Sequence, residues 1–248
     1  MICCSLLHVQ RAEAAKTGAP AMSKRGQPLH LANITKPGTK ECKWAQAIPA
    51  LAFLGQALKT LLLTRTAPDQ VIIKTMLAVP RYAGVVDIVR SHAAFTNRTA
   101  NCLEPDNIAY QAYDLDRRGN KVYGTWYGQV LALGTVVGSG VNFIFFREYD
   151  NGGLDSYFPL NLRPFKWAQP TRRTGQGSYA AIETDSVLNE VCMVPDYVKN
   201  AADGTKGHFL LNDLVHRAPD DMLAWYDKKG KDAEDNMVWK WNKAVASS

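Results

Sequence analysis

Val122-Tyr-Gly-Thr-Trp-Tyr-Gly-Gln-Val-Leu-Ala-Leu133 and Val141-Asn-Phe-Ile-Phe-Phe-Arg-Glu-Tyr149 decide the fold class. The first stretch is rich in β-branched and aromatic residues, which pack well on a pleated surface. It reads as one long strand, or as two joined at Gly124 or Gly128, because glycine inside such a run marks a bulge or bend. The second is the clearest strand of the chain. Its run Phe143 to Phe146 is apolar on both faces, which predicts a central position. Gly138-Ser-Gly140 between them predicts a hairpin loop. Asp150-Asn-Gly-Gly153 is a further hairpin signal, with 154–162 returning as the partner strand and Pro159 placing its end at an edge or bulge.

The β texture extends outward from this pair. Ile108-Ala-Tyr-Gln-Ala-Tyr113 puts Ile108, Tyr110 and Ala112 on one face of a strand, and Asp116 to Asn120 forms a turn. Residues 164–177 read as a basic loop carrying Lys166, Arg172 and Arg173. Tyr179 to Ile182, Val187 to Val194 and Phe209 to Leu211 resume the apolar rhythm, with a polar turn at 201–207. From Pro219 the chain reads as helix. Proline suits the first helical position, Asp220 and Asp221 favour the N-terminal dipole, and Met222, Leu223, Trp225 and Tyr226 supply an apolar side. Gly230 interrupts it, and 232–245 continue as an amphipathic piece with Trp239 and Trp241.

The front of the chain differs. The run 44–63 approaches membrane length, but Gln46, Gln56 and Lys59 interrupt it and Pro49 shortens it. No membrane span is expected. Leu51, Leu54, Leu58, Leu61 and Leu62 recur at helical steps and predict an amphipathic, core-packing helix. Residues 71–79 suggest a short strand or helix, and 82–89 a strand or buried segment. Residues 1–43 lack apolar periodicity. The expected architecture is α+β. A basic flexible tail (1–43) and a mainly helical segment (44–104) precede a small antiparallel SH3-like β-barrel (105–215), and a helical extension (216–248) follows.

Charge sharpens the division. The 248 residues carry 29 Lys and Arg against 23 Asp and Glu, a formal +6. Residues 1–100 hold 13 basic and 4 acidic side chains, a net +9, and 101–248 hold 16 and 19, a net −3. An anionic partner such as nucleic acid should therefore meet the front, where Arg11, Lys16, Lys24, Arg25, Lys36, Lys40 and Lys43 are the expected contacts.

Little points to catalysis. The chain has no GxSxG, GxxxxGK[ST], HExxH or GxGxxG. Gly134 to Gly140 lacks the lysine and helix that a phosphate loop needs. Asp114 and Asp116 sit in a turn beside Arg117 and Arg118, as a solvated charge cluster does. The five cysteines have no zinc-like spacing and no even pairing, and the five histidines are dispersed. No catalytic residue, metal ligand or cofactor is assigned, and no enzyme activity is expected.

Residues 122–165 resemble a small SH3-type barrel. Tyr123-Gly-Thr-Trp-Tyr-Gly-Gln-Val130 is similar to the aromatic-Gly opening strand of Tudor-like and bromo-adjacent-homology domains, and Val141 to Tyr149 resembles their second strand. Leu160-Asn-Leu-Arg-Pro164 is similar to a Leu-Arg-Pro ending in some plant Tudor-like modules. Ile182 to Pro195 resembles the later bromo-adjacent-homology segment. The order of barrel, Val-Pro-Asp and Phe-Leu-Leu-Asn (209–212) is similar to the C-terminal region of some transposon-encoded proteins. The likeness spans about 108–215. It implies an aromatic mouth drawn from Trp126, Tyr127, Phe146 and Tyr149, with Glu148 and Asp150 at the rim, holding a cation such as a methylated lysine of a histone tail. Strand alternation sends Trp126 and Tyr127 to opposite faces, so the same aromatics can instead fill a core.

The expectation is a nuclear, non-enzymatic interaction module that binds a protein or chromatin partner, with basic N-terminal contacts to nucleic acid. The alternative is an accessory structural subunit of a mitochondrial assembly, to which a basic, acid-poor N-terminus also fits.

Overall fold

A computed structural model describes residues 19–80, 86–95, 106–115, 118–151, 163–168 and 178–212. The fold is α+β, with a closed six-stranded antiparallel β-barrel and a few short helices. The chain divides into two compact units. The first is Met1–Asp150 with Trp167–Glu190, and the second is Asn151–Lys166 with Val191–Ser248.

The spine of the first unit is strand β7 (Lys121–Val136), the single long strand that its composition predicts. It pairs antiparallel with β6 (Asn107–Leu115) along 121–129 and with β8 (Asn142–Asn151) along 128–135. Near its end it also pairs with β3 (Gln70–Lys74). The loop to β8 turns through Gly138 and Gly140, both at positive φ. The bend falls at neither expected glycine. The register slips between Val130 and Ala132, so Leu131 is the extra residue of a bulge. Gly128 and Gly134 serve close approach instead. The Phe146 ring lies over Gly128, and a Cβ at Gly134 would stand 2.7 Å from Phe143 Cζ.

Phe143, Ile144, Phe145 and Phe146 are all fully buried, as a two-faced apolar run requires. Phe143 and Phe145 enter one core and Ile144 and Phe146 the other, because successive side chains alternate. The first core is roofed by helices α1 (Lys40–Ala47) and α2 (Leu54–Leu61). Leu51, Leu54 and Leu58 are fully buried, as the helical spacing predicts. Pro49 opens a short 3-10 turn, so the α-helix itself starts only at Leu54, and it ends before Leu63, which is exposed with φ 52°. The second core joins Ile108 and Tyr110 to Leu77 and Val79 of β4 (Met76–Pro80) and Val89 of β5 (Val86–Arg90). Among the described residues, no helix is long and apolar enough to cross a membrane.

Order begins earlier than the expected tail allows. Strands β1 (Ala21–Met22) and β2 (Gly26–His30) pair with β4 and β3, and Leu29 is fully buried. Thr39 caps α1, its hydroxyl accepting from the Cys42 N–H at 3.1 Å. The segment expected to be mainly helical also carries β3, β4 and β5, because its β-branched runs pair with neighbours that only the fold supplies. Strand β10 (Tyr179–Glu183) pairs with β8.

In the second unit, β12 (His208–Asn212) lies between β9 (Arg163–Trp167) and β11 (Val187–Pro195). The basic loop expected from 164 is thus a strand as far as Trp167. Helix α3 (Tyr197–Asp203) is capped by Asp196 and stopped by Gly204 at φ 63°. The returning strand expected at 154–162 and the helical extension expected at 216–248 lie outside the described residues.

Candidate functional site: the aromatics of the first unit

Strand β8 distributes the expected mouth over two faces. Phe143, Phe145, Arg147 and Tyr149 alternate with Ile144, Phe146 and Glu148. Phe146 is fully buried against Tyr110, ring centroids 4.7 Å apart, so it belongs to the core and lines no opening. Glu148 is half-buried and accepts the Tyr110 hydroxyl at 3.3 Å. Burial raises the carboxyl of Glu148, and the Tyr110 hydrogen bond opposes that rise. Burial, with the Glu148 charge, also pushes the Tyr110 phenol upward.

Tyr149, expected as a cage wall, is buried on the other face. Its hydroxyl donates to Asn107 Oδ1 at 2.8 Å, and its ring stacks on Trp167 at 4.6 Å and 13°. The cation on that indole is internal: Arg147 Cζ stands 3.9 Å from the Trp167 centroid and 6.0 Å from that of Tyr179. The chain's own guanidinium therefore occupies that face of the indole. Phe165 and Trp167 alternate along β9, but Pro164 and the basic Lys166 make the segment read as a loop. Asp150 and Tyr127 are half-buried, with Tyr127 directly opposite Ala109.

The exposed aromatics gather on the β6–β7 hairpin instead. Tyr113 and Tyr123 face each other across the ladder, 50% and 57% exposed, ring centroids 5.7 Å apart. Lys121 Nζ stands 4.3 Å from the Tyr113 ring centroid. Trp126, 40% exposed, lies on the opposite face beside Gly124. No family model, curated protein or solved structure matches this chain.

Of the expected nucleic-acid contacts, Lys24, Arg25, Lys36, Lys40 and Lys43 are at least partly exposed, and Arg11 and Lys16 lie outside the described residues. Lys24 and Arg25 occupy the β1–β2 turn, with Lys74 Nζ on the Lys24 carbonyl at 3.0 Å. Lys40 rests over Trp44 and donates to Gln27. Lys43 follows on the same helix.

An acidic group escaped the sequence reading because its members come from three separate segments. Asp106 Oδ2 accepts from the Arg90 N–H at 2.6 Å and from its guanidinium at 3.3 Å. Asp87 accepts the Glu190 N–H at 3.1 Å. Burial and then the Asp106 and Asp87 charges push the Glu190 carboxyl up to about 7, against the pull of Arg90. Among the described residues no His, Cys, Asp and Glu converge as three metal ligands.

Proposed function

We propose that the chain is a non-enzymatic interaction module of the nucleus. It is an SH3-type barrel of Tudor-like or bromo-adjacent-homology character that binds a protein partner, with chromatin tails the chief candidates. The binding surface is the β6–β7 hairpin rather than an aromatic cage. The observation that carries this reading is the Tyr113–Tyr123 pair, two large rings held opposite each other across a ladder yet half exposed. Tyrosine and tryptophan dominate interface hot spots because they bury much area at little conformational cost. The cations Lys24, Arg25, Lys36, Lys40 and Lys43 add attraction for nucleic acid.

An array of methylated and unmethylated histone-tail peptides, probed with the wild type and with Tyr113→Ser/Tyr123→Ser, tests the first part. Binding that vanishes in a folded double variant supports it, and equal binding overturns it. Anisotropy of a short labelled duplex over a salt series tests the second. Affinity should fall with salt, and reversing the five cations to glutamate should flatten the slope by about 0.9 for each phosphate that is no longer neutralised.

A further inference from the structure

We propose that Arg147 anchors a carboxylate-binding site, distinct from the hairpin surface. Its strand neighbours on the same face, Phe143, Phe145 and Tyr149, are all buried, so Arg147 is the one charged and partly exposed side chain in that row. It stacks on Trp167, and Tyr149 and Asn107 in turn hold that indole in place. Stacking supplies π attraction but no hydrogen-bond acceptor.

Acceptors are what Arg147 lacks among the described residues. Nε is buried with no partner. The salt bridges Arg90–Asp106 and His208–Asp203 leave Arg147 out. Glu148, next in the chain, turns to Tyr110 on the opposite face. Burial lowers the affinity of the guanidinium for its proton, and the groups opposing this are the phenols of Tyr179 and Tyr149. A partly desolvated cation with no counter-charge is costly, and such groups are normally paired.

The geometry also selects the ligand. With Nε sealed, the fork left for a ligand is the end-on pair Nη1 and Nη2, whose parallel N–H bonds match the two oxygens of a carboxylate. A lone guanidinium carries one positive charge and so suits a monoanion better than a phosphate dianion. The ligand is therefore a peptide carboxylate, either a chain terminus or an Asp or Glu side chain.

The test follows the side-chain N–H resonances of Arg147 in 15N-arginine-labelled full-length protein, assigned in the wild type by through-space contacts to the Trp167 indole, 3.9 Å from the guanidinium carbon. Four probes are titrated: an acetylated tripeptide with a free C-terminus, an amidated one containing Asp, an amidated uncharged one, and inorganic phosphate. Saturable shifts with either carboxylate probe, weaker with phosphate and absent with the uncharged peptide, are expected, and the two carboxylate arms identify the source. Arg147→Lys keeps the charge but loses the fork, and should weaken carboxylate binding at least about tenfold. No shift with either carboxylate, or a stronger response to phosphate, overturns the proposal. The wild-type titration decides even if the variant fails to fold. The hairpin variant Tyr113→Ser/Tyr123→Ser should leave these shifts unchanged, which separates this site from the proposed partner surface.

Discussion

Replacing Gly128 by alanine tests the close packing between β7 and β8. The added Cβ would stand 3.0 Å from Phe146 Cγ and 3.1 Å from Cε2, and closer still to Cδ2. The ring has nowhere easy to go, because it is fully buried and 4.7 Å from Tyr110. Overpacking of this kind costs about 1–3 kcal/mol. Alanine also restricts the unfolded chain, which offsets about 0.4–1 kcal/mol. The net expectation is a loss of about 1–2 kcal/mol. Gly124 on the same face is the control, since its Cβ would meet only Trp126 Nε1, at an ordinary 3.6 Å. Gly124→Ala should therefore be neutral or stabilising by up to about 1 kcal/mol. Urea unfolding of both variants gives the comparison. In Gly128→Ala/Phe146→Leu the smaller side chain should recover part of the loss, giving a favourable coupling. If Gly128→Ala is as stable as Gly124→Ala, the steric reasoning is wrong.

Two further expectations concern buried polar groups. The Glu190 carboxyl is raised, so the folded state holds its proton more tightly than the unfolded state. Its stabilising contribution is full below about pH 4.5 and is lost as pH rises to about 7. After allowance for screening at a half-exposed group, the loss is about 1–2 kcal/mol. Urea unfolding between those pH values should show Glu190→Gln with a flatter profile than the wild type, and an unchanged profile would contradict the raising of the Glu190 carboxyl by burial and by the neighbouring Asp106 and Asp87 charges. Tyr110→Phe removes the hydroxyl from half-buried Glu148 and should cost about 1–2 kcal/mol in urea unfolding. A loss no larger than that of an exposed Tyr123→Phe would show that the hydrogen bond contributes nothing.

The strands around the spine were legible because local pattern and tertiary position agree there. Phe143 to Phe146 is apolar at every position and lies between two cores. Ile108, Tyr110 and Ala112 alternate and face one of them. Leu51, Leu54 and Leu58 keep helical spacing and are buried. Legibility failed where a short element depends on its partners. β2 offers only Leu29 as an anchor, within a basic stretch of no clear period. The surroundings of the expected aromatics are hard to read from sequence for a related reason. Alternation separates Tyr149 from Phe146, but nothing local tells that Trp167 and Arg147, far apart in the sequence, will stack. The Glu190 cluster likewise joins positions 87, 106 and 190, a convergence that no spacing rule encodes.

The most direct measurement is an amide and indole NMR shift map of the 15N-labelled full-length protein, titrated with the peptide that scores highest on the histone-tail array. The result expected is a set of shifts centred on Tyr113, Lys121 and Tyr123, with the Trp126 indole on the opposite face silent, lost in Tyr113→Ser/Tyr123→Ser while the remaining spectrum is preserved. Shifts centred on Tyr149, Trp167 and Tyr179 with the hairpin silent would contradict it, and would return the binding surface to the aromatic site that Arg147 occupies.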